Sequence, residues 1–397
     1  MTIAIPLGKV VDVSAGQPAP KPDEFSDSGE PFIRAGSLES LISGAGEESC
    51  ERISDETARR KKLRLYPENT ILFAKSGMSA KLGRVYKLKR PAYVVSHLAA
   101  LAPIGKYDPN YLSHWLRKNP PSHLIKDDAY PSIRTSEISN LEVPNIGVNE
   151  QRRIAAILDK ADAIRRKRQQ ALVLADEFLK SAYVHLVGHH NPAYGGWQPE
   201  TIEKLAQDKK GAIRSGPFGS ALLHSEFVDE GIAVLGIDNA VQNQFAWGQR
   251  RFITEEKYEE LRRYRVFPGD VIITIMGTTG RSAVVPDNIP EAITTKHLAS
   301  ITCDTSKILP EVLSFAIHSD PMIIRQIKQH NKGAIMDGLN LGIIKQLVLP
   351  MPPMKLQQRF AEALRNVSKQ KEQISTTLGD GTELFASISQ RAFRGGL

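Results

Sequence analysis

The sequence predicts an α+β protein in which two similar mixed α/β domains are separated by two long helices that pair as an antiparallel coiled coil. Three observations predict it. The stretch Gln151 to Leu186 holds neither Gly nor Pro and is dominated by strong helix formers. A second long stretch, Leu356 to Ala392, has the same spacing of seam residues. The segments in front of the two stretches also share landmarks at a nearly constant offset, which indicates an internal duplication.

The first long stretch carries one apolar seam. Taking alternately every third and every fourth residue selects mostly Ile, Leu and Ala, a spacing typical of a coiled coil rather than of an ordinary surface helix. At about 1.5 Å per residue the helix is a rod on the order of 50 Å long, and a single apolar seam requires a partner helix. The seam residues that we assign to this helix are Ile154, Leu158, Leu172, Leu179 and Leu186.

The partner helix is predicted at the other end of the chain. Leu141, Pro144 and Gln151 recur at one constant offset as Leu347, Pro350 and Gln357. Two long helices can look alike by chance, but the shared proline, Gln and seam phase favour duplication. End-to-end antiparallel pairing predicts Arg168 opposite Leu378 and Lys371 opposite Ala175. The seam of the second helix consists of Phe360, Leu364, Ile374, Leu378 and Phe385.

These features divide the chain into a first domain (1–145), a central helix (146–190), a second domain (191–349) and a distal helix (350–397). In the first domain, residues 10–38 mix short apolar runs with Pro, Gly and Asp, which predicts brief strands and loops. A strand at Thr70–Ala74, a turn of small residues and another strand follow. AYVVSHLAAL (92–101) predicts one further buried strand. DPNYLSHWLRKN predicts a helix with Asp108 as N-cap and Pro109 at its first position.

The second domain echoes the first. EFSDSG recurs as EFVDEG, PENTILFAKSG as PGDVIITIMGTTG, and SHLAAL as KHLASI, so that His97 corresponds to His297. The offset drifts only from 200 to 207 along the chain, which indicates a few insertions and deletions rather than a rearrangement. TEEKYEELRRYR predicts an amphipathic helix capped by Thr254.

The charge of the chain favours a polyanionic partner. The formal net charge is +8, although charge alone does not separate nucleic acid from an anionic membrane. Between Arg59 and Arg90 stand eleven Lys or Arg and a single acid, Glu68. A solvated face is the alternative explanation of such a run. Because these bases flank a Gly/Ser loop between strands, we favour a surface that contacts phosphates.

IRSGPFGSAL, residues 213–222, is the most distinctive loop of the second domain. Gly216, Pro217 and Gly219 predict a tight turn whose backbone amides can approach a phosphate or a base edge closely. Phe218 is either an anchor in the core or an exposed wedge, and we favour the anchor.

These residues resemble the specificity subunit of type I restriction–modification enzymes. The resemblance rests on GPFGS (216–220), LPMPPMKLQQRFAEAL (349–364), VPNIGVNEQRRIAAILDKAD (143–162) and the closing QRAFRGGL, and it covers essentially the whole chain. Two departures stand out. The first domain has SAGQPAPKP where a copy of GPFGS is expected, and its proline-containing lead is VPNIGV in place of LPMPPM.

The resemblance implies two target-recognition domains, each reading one half of a bipartite, asymmetric target in double-stranded DNA, held apart by two helices conserved in the family. It implies two methyltransferase subunits and restriction subunits as partners. It also implies that this chain has no catalytic residue and binds no cofactor, with S-adenosylmethionine, ATP and Mg expected in the partner subunits. The alternative is a specificity subunit of a related methylation or phage-defence system without a restriction subunit.

The residues that we expect to contact DNA lie on the loops described above. Lys and Arg are expected mainly on phosphates, while Arg, Ser and Thr are suited to reading base edges. In the first domain they are Lys75, Ser76, Gly77, Ser79, Lys81, Arg84, Tyr130, Ser132 and Arg134. In the second domain they are Arg214, Ser215, Gly216, Pro217, Phe218, Gly219, Ser220, Thr278, Thr279, Arg281, Lys332 and Met336.

Several fragments imitate enzymes. NPAY (191–194) and DPNY (108–111) resemble the N/D-P-P-Y loop of amino-methyltransferases but lack its second proline, and no Walker A loop is present. Glu255-Glu256-Lys257 fits a capped helix better than it fits the spaced acid–acid–lysine motif of metal nucleases. His185, His189 and His190 lack a nearby Cys or carboxylate, so we expect no metal site. Two cysteines and no long apolar stretch indicate a cytoplasmic protein outside the membrane. A catalytic DNA enzyme and a coiled-coil assembly protein remain alternative classes.

Overall fold

The computed structural model describes residues 4–330 and 338–394 and divides into two compact units. Unit 1 consists of Met1–Gln169 and Thr376–Leu397, and unit 2 consists of Gln170–Ser375. Each unit therefore combines a globular part with one portion of each long helix.

Unit 1 is built from short strands and helices that surround an antiparallel sheet. Its strands are β1 (Ala4–Pro6), β2 (Val11–Ala15), β3 (Glu30–Ile33), β4 (Arg52–Ile53), β5 (Ile71–Ala74), β6 (Val85–Lys87), β7 (Tyr93–Val94), β8 (Leu98–Pro103) and β9 (Glu142–Pro144). Its helices are α1 (Leu38–Ile42), α2 (Asp55–Lys61), α3 (Pro109–Lys118), α4 (Thr135–Ser139) and the first part of α5 (Val148–Leu186).

Unit 2 repeats the order of the strands, with some different helices between them. Its strands are β10 (Pro199–Thr201), β11 (Ile213–Ser215), β12 (Ile232–Leu235), β13 (Phe252–Ile253), β14 (Val271–Thr274), β15 (Ser282–Val284), β16 (Ala292–Thr294), β17 (Leu298–Ile301) and β18 (Val348–Pro350). Its helices are α6 (Ile202–Leu205), α7 (Glu255–Leu261), α8 (Pro310–Ser319), α9 (Pro321–His330), α10 (Leu341–Gln346) and the first part of α11 (Met354–Arg394).

The sheets of the two units have the same topology. The strand order β2-β8-β5-β6 in unit 1 corresponds to β11-β17-β14-β15 in unit 2, and β4-β3-β7 corresponds to β13-β12-β16. The register agrees as well, since Ile71 pairs with Leu101 and Lys87 while Val271 pairs with Ile301 and Val284. In both units the one parallel pairing among these strands joins the equivalent elements, β3 with β7 and β12 with β16. The duplication predicted from the sequence is therefore present in the fold.

Helix caps follow the sequence closely. The Asp108 carboxylate accepts a hydrogen bond from the Tyr111 amide at 2.9 Å, and Pro109 is the first residue of α3. Thr254 caps α7 by accepting from the Lys257 amide at 3.2 Å. Both predicted caps are confirmed, because each satisfies an amide that has no partner within its own helix.

The prediction of a single strand at 92–101 is wrong. The segment forms two strands, β7 and β8, which belong to different sheets. The Val95 amide donates to the Ile33 carbonyl and the Leu98 amide to the Val95 carbonyl, so the chain turns between the strands. Because both strands are buried, their apolar residues read as one continuous run.

In unit 1 the two long helices pack antiparallel, since the beginning of α5 meets the end of α11. Ile154 and Leu158 are buried beside Tyr111, and Ile388 and Phe393 of α11 pack against them. The Arg168 guanidinium donates to the Thr377 carbonyl at 2.7 Å, one residue from the pairing with Leu378 that the seam predicts. Of the predicted seam residues in this part of α11, Leu378 is half-buried and the side chain of Phe385 lies outside the described residues.

In unit 2 the end of α5 packs against the beginning of α11. Leu179 and Phe360 share one buried core with Leu364 at its margin, while Leu172, Leu186 and Ile374 are half-buried on their helices. Lys371 forms an ion pair with Asp176, one residue from the predicted pairing with Ala175. The contacts in each unit thus agree with the predicted register to within one residue.

The glutamine that recurs in both helix leads has the same role in each unit. Gln151 accepts from the Asp108 amide at 2.7 Å and donates to the Ile146 carbonyl at 2.8 Å. Gln357 accepts from the Leu309 amide at 2.9 Å and donates to the carbonyls of Lys307 and Pro352. Both side chains are buried, so each fastens the start of a long helix to the segment before α3 or α8.

Gln357→Ala is expected to destabilise unit 2 by about 1–3 kcal/mol, because it leaves one amide and two carbonyls, all buried or partly buried, without this partner. Gln370→Ala, at an exposed position of the same helix, is the control and should change stability by less than about 0.5 kcal/mol. Urea unfolding of both variants measures the difference. Equal midpoints for the two variants would contradict the structural role of Gln357.

Candidate nucleic-acid interface

In unit 1 the loops that follow β2, β3, β5 and β7 meet at one end of the domain. Ser76 Oγ lies 2.9 Å from His97 Nδ1, which joins the loop after β5 to the turn after β7. The Gly77 amide donates to the Pro131 carbonyl, and Ser76 pairs with Ser132 as an isolated bridge. The structure thus brings together two predicted segments that are more than fifty residues apart in the sequence.

The side chains at this end are mostly accessible. Gly77, Ser132 and Arg134 are exposed, whereas Lys75, Ser76, Ser79, Lys81 and Arg84 are half-buried. Gly77 has a φ of +75°, which glycine adopts without strain. Tyr130 is 81% exposed, and Met78 and Leu82, neither of which was predicted from the sequence, are 66% and 56% exposed. Large apolar side chains on a loop can be recognised only once the fold exposes them.

The basic run between Arg59 and Arg90 is not one surface. Lys81 pairs with Asp128 at 2.7 Å and Arg84 with Glu39 at 2.9 Å, both at the loop end. Arg60 and Lys61 pair with Glu24, Arg64 with Asp12, and Arg90 with Glu30. Acids remote in sequence therefore offset much of a run that looks unopposed in the sequence. The part of the run that lies at the loop end is residues 75–84.

In unit 2 the GPFGS loop begins where β11 ends. A Cβ on Gly216 would lie 2.2 Å from the Thr295 carbonyl oxygen and 2.4 Å from that of Thr294, so only glycine fits. Gly216 and Pro217 are buried, Ser215 is half-buried, and Gly219 and Ser220 are exposed. Phe218 is 51% exposed, so the core anchor favoured from the sequence is wrong. Gly216 approaches the backbone of β16 closely, Pro217 is buried, and the chain reaches the surface at Phe218.

Unit 1 has a counterpart of this loop that its sequence conceals. A Cβ on Gly16 would lie 2.2 Å from the Val95 carbonyl oxygen and 2.3 Å from that of Val94, as at Gly216. The Gly16 amide donates to the Leu98 carbonyl, just as the Gly216 amide donates to that of Leu298. SAGQPAPKP therefore occupies the GPFGS position. The offset of 200 residues, which also relates His97 to His297, was the signal that locates it.

Arg214 is not a free DNA contact. It is 8% exposed and forms an ion pair with Asp270, which is 1% exposed. Its remaining donors bind the Arg265 carbonyl at 2.8 Å, the Gly211 carbonyl at 3.1 Å and Thr302 Oγ1 at 3.0 Å. With its donors engaged inside the domain, Arg214 has a structural role, which corrects the prediction.

The turn after β14 lies at the same end of unit 2. Gly277 and Gly280 have φ values of +77° and +79°, and they enclose Thr278 and Thr279 before Arg281. Thr278 and Arg281 are exposed and Thr279 is half-buried. Burial, together with Lys296 and Arg251, lowers the pKa of the nearby His297, so that this imidazole is neutral at pH 7. Lys332 and Met336, also predicted here, lie outside the described residues.

A metal centre and a membrane-spanning helix are two other kinds of feature that would bear on function. Within residues 4–330 and 338–394, no three His, Cys, Asp or Glu side chains are placed to hold a metal ion. Over the same residues, no helix combines the length and apolar character needed to cross a membrane.

The chain matches the profile of one protein family over most of its length. The family is described as "Type I restriction modification DNA specificity domain", and the match covers residues 4–173 and 226–379, one segment for each half of the duplication. The chain belongs to this family. The repeated domains and long helices of this specificity-domain protein agree with the two matched segments.

The chain is also similar to curated proteins named as specificity subunits of type I restriction enzymes. The chain is 25% identical over 174 residues to the EcoBI specificity subunit of Escherichia coli, covering 43% of this chain and 36% of that one. It is 22% identical over 267 residues to the MjaVIII specificity subunit of Methanocaldococcus jannaschii, covering 63% and 62%. The matches thus span about a third to three fifths of those relatives.

Two solved structures share the fold. A crystal structure of a type I restriction–modification S subunit from M. genitalium superposes with a TM-score of 0.66 at 15% identity, covering 99% of this chain and 96% of that one. A chain from a study of assembly and conformational transition of the type I R-M system gives a TM-score of 0.54 at 15% identity, covering 100% and 98%.

Proposed function

We propose that this chain is the non-catalytic DNA-recognition subunit of a type I restriction–modification complex, with each unit reading one half of a bipartite target. The proposal rests on one observation: the two units share the same framework of strands, but the loops on that framework differ. The two units share strand order and register, yet the loops at one end of their sheets differ in sequence, charge and exposure. Such a framework holds two readers of different base sequences in equivalent positions.

The experiment is sequencing of DNA methylation in cells that express this chain with its neighbouring methyltransferase gene. We expect an adenine-methylated motif of two short halves and a fixed gap, which disappears when this chain is omitted. Replacing residues 1–145 with the first domain of another specificity subunit should change one half only. Methylation without this chain, or by this chain alone, would contradict the proposal.

The proposed partners are two methyltransferase subunits, with restriction subunits joining for cleavage. S-adenosylmethionine, ATP and Mg would act in those subunits. One docking surface is an apolar patch of α5 within unit 2, where Val173, Leu174 and Phe178 are 55%, 54% and 55% exposed. Exposed apolar side chains clustered on one helix are typical of protein–protein contacts, and a helix of the methyltransferase subunit is the proposed occupant.

Leu174→Glu and Phe178→Glu are expected to reduce co-purification of the methyltransferase subunit at least tenfold, because each buries a charge in the proposed contact. Gln207→Glu, at an exposed glutamine away from α5, is the control. If Leu174→Glu and Phe178→Glu both co-purify the methyltransferase subunit at the control level, this patch is excluded as the docking surface.

Lys81→Ala is expected to weaken binding to all DNA sequences alike, because a lysine at this loop end would position a phosphate. Its pairing with Asp128 leaves the ammonium at the surface, with 31% of the side chain exposed. The slope of log K against log salt should become shallower by about one, because one phosphate fewer is neutralised. Lys89→Ala, at the opposite end of the β5–β6 hairpin, is the control. Loss of one specific site with unchanged non-specific binding would contradict this role.

A further inference from the structure

The segment Val241–Arg250, between β12 and β13, lies at the loop end of unit 2 beside the other candidate segments. The Ser282 amide donates to Asn243 Oδ1 at 3.4 Å, which connects this segment to the turn after β14. Ile237, just before it, packs 3.7 Å from the position of a Cβ on Gly277. The Thr295 amide donates to the Leu235 carbonyl, which joins the end of β12 to the backbone that Gly216 approaches.

The segment presents side chains suited to bases. Gln242, Gln244 and Gln249 are exposed, and within the described residues the side chains of Gln242 and Gln244 have no hydrogen-bond partner. Trp247 is 40% exposed. The Arg250 guanidinium lies 5.1 Å from the centre of the indole ring, and Phe245 packs edge-on against it at 5.4 Å. The Gln242 and Gln244 amides are thus displayed without being used by the fold, and the indole, in contact with Phe245 and Arg250, is partly exposed.

The backbone of the segment is fixed before any ligand binds. Asn239, 2% exposed, accepts from the Gly236 amide and donates to the Ala246 carbonyl, both at 2.8 Å. The Ala246 amide returns a bond to the Asn239 carbonyl at 3.3 Å. A Cβ on Gly248 would lie 2.1 Å from Asp238 Oδ2 and 2.8 Å from Asp238 Cβ, so a larger residue there would displace the Asp238 side chain. A fixed loop loses little conformational entropy when it binds, which favours selective contacts.

The equivalent segment of unit 1 is different in kind. Residues 34–51 contain helix α1 and four glutamates, of which Glu39 pairs with Arg84 and Glu47 is buried against Tyr86. The matching stretch of unit 2, residues 236–251, contains one acid, Asp238, which pairs with Arg251, and Val241–Arg250 within it contains none. Glutamates are repelled by phosphates, whereas glutamine and arginine are compatible with a groove of DNA.

We propose that Val241–Arg250 determines the half-site read by unit 2, with Gln244 contacting an adenine and Trp247 the methyl group of a neighbouring thymine. A glutamine amide binds the N6 and N7 edge of adenine in the major groove through two hydrogen bonds, and apolar side chains contact the thymine methyl group. This inference rests on the proposed function and adds the residues and bases of one half-site.

The test uses the full chain assembled with its methyltransferase subunits. Bound duplexes are selected from a library randomised in both half-sites and sequenced. Gln244→Ala is expected to reduce the preference for adenine at one position roughly tenfold to a hundredfold, with the other half unchanged. Gln244→Arg should move the preference towards guanine. Trp247→Ala should relax an adjacent position.

The matched control is Gln207→Ala, an exposed glutamine beside the end of β17 opposite to His297, in the four-stranded sheet, which should select the wild-type motif. The unchanged half-site shows that each variant is folded and assembled. Wild-type motifs from all three variants, or equal loss of both half-sites, would overturn the assignment. If the wild-type complex itself selects no bipartite motif, the failure lies in the proposed function.

Discussion

Phe360→Ala is expected to lower the free energy of unfolding of unit 2 by about 3–5 kcal/mol, the usual cost of removing a buried aromatic ring. Phe360 is 0% exposed, and its ring centre lies 5.4 Å from that of Tyr183 and 5.0 Å from that of Phe315. The three rings belong to α11, α5 and α8, so the substitution opens a cavity where both long helices meet the domain.

The measurement is denaturant unfolding followed by tryptophan fluorescence, in which Trp197 and Trp247 report on unit 2 and Trp115 on unit 1. Phe178→Ala is the control, because Phe178 lies on α5 but is 55% exposed. A loss below about 1 kcal/mol for Phe360→Ala, or equal losses for both variants, would show that the aromatic cluster does not hold the helices to the domain.

Arg214→Ala is expected to destabilise unit 2 by about 3–5 kcal/mol, because it leaves the Asp270 carboxylate buried without its counter-ion. Within the residues that the structure describes, the Asp270 carboxylate would retain the hydrogen bonds from Thr302 Oγ1 at 2.6 Å and the Phe267 amide at 2.8 Å. Arg214→Met with Asp270→Asn removes both charges and should recover part of the loss. The difference between the single and double variants measures the coupling.

The control for this experiment is Arg281→Ala, at an exposed arginine of the loop end. It should weaken DNA binding with little change in stability. Arg214→Ala should lower stability but, assayed below its unfolding transition, should bind DNA as the unchanged chain does. Unchanged stability of Arg214→Ala together with weakened DNA binding would restore the DNA-contact role that the sequence suggested and the burial of Arg214 contradicts.

Part of the candidate interface was predictable. The Gly/Ser loop at 76–79 and the Gly-rich turn at 277–280 mark sharp turns after strands, and a strand end is where loops carry function. Val241–Arg250 was not predicted, because nothing in its sequence indicates that Asn239 fixes it or that the fold exposes Gln244. Phe218 was misjudged because the exposure of a side chain is decided by the tertiary fold, and no local pattern in the GPFGS loop specifies it.

The sequence by itself determined the long helices, the caps at Asp108 and Thr254, the duplication and the register of the helix pairing. Each of these depends on residues a few positions apart, or on repetition that can be read directly. Only the tertiary structure decided that Arg214 forms a buried ion pair with Asp270, 56 residues later, and that distant acids offset the basic run. Ion pairing and burial are properties of neighbours in space, so no local pattern in the chain specifies them.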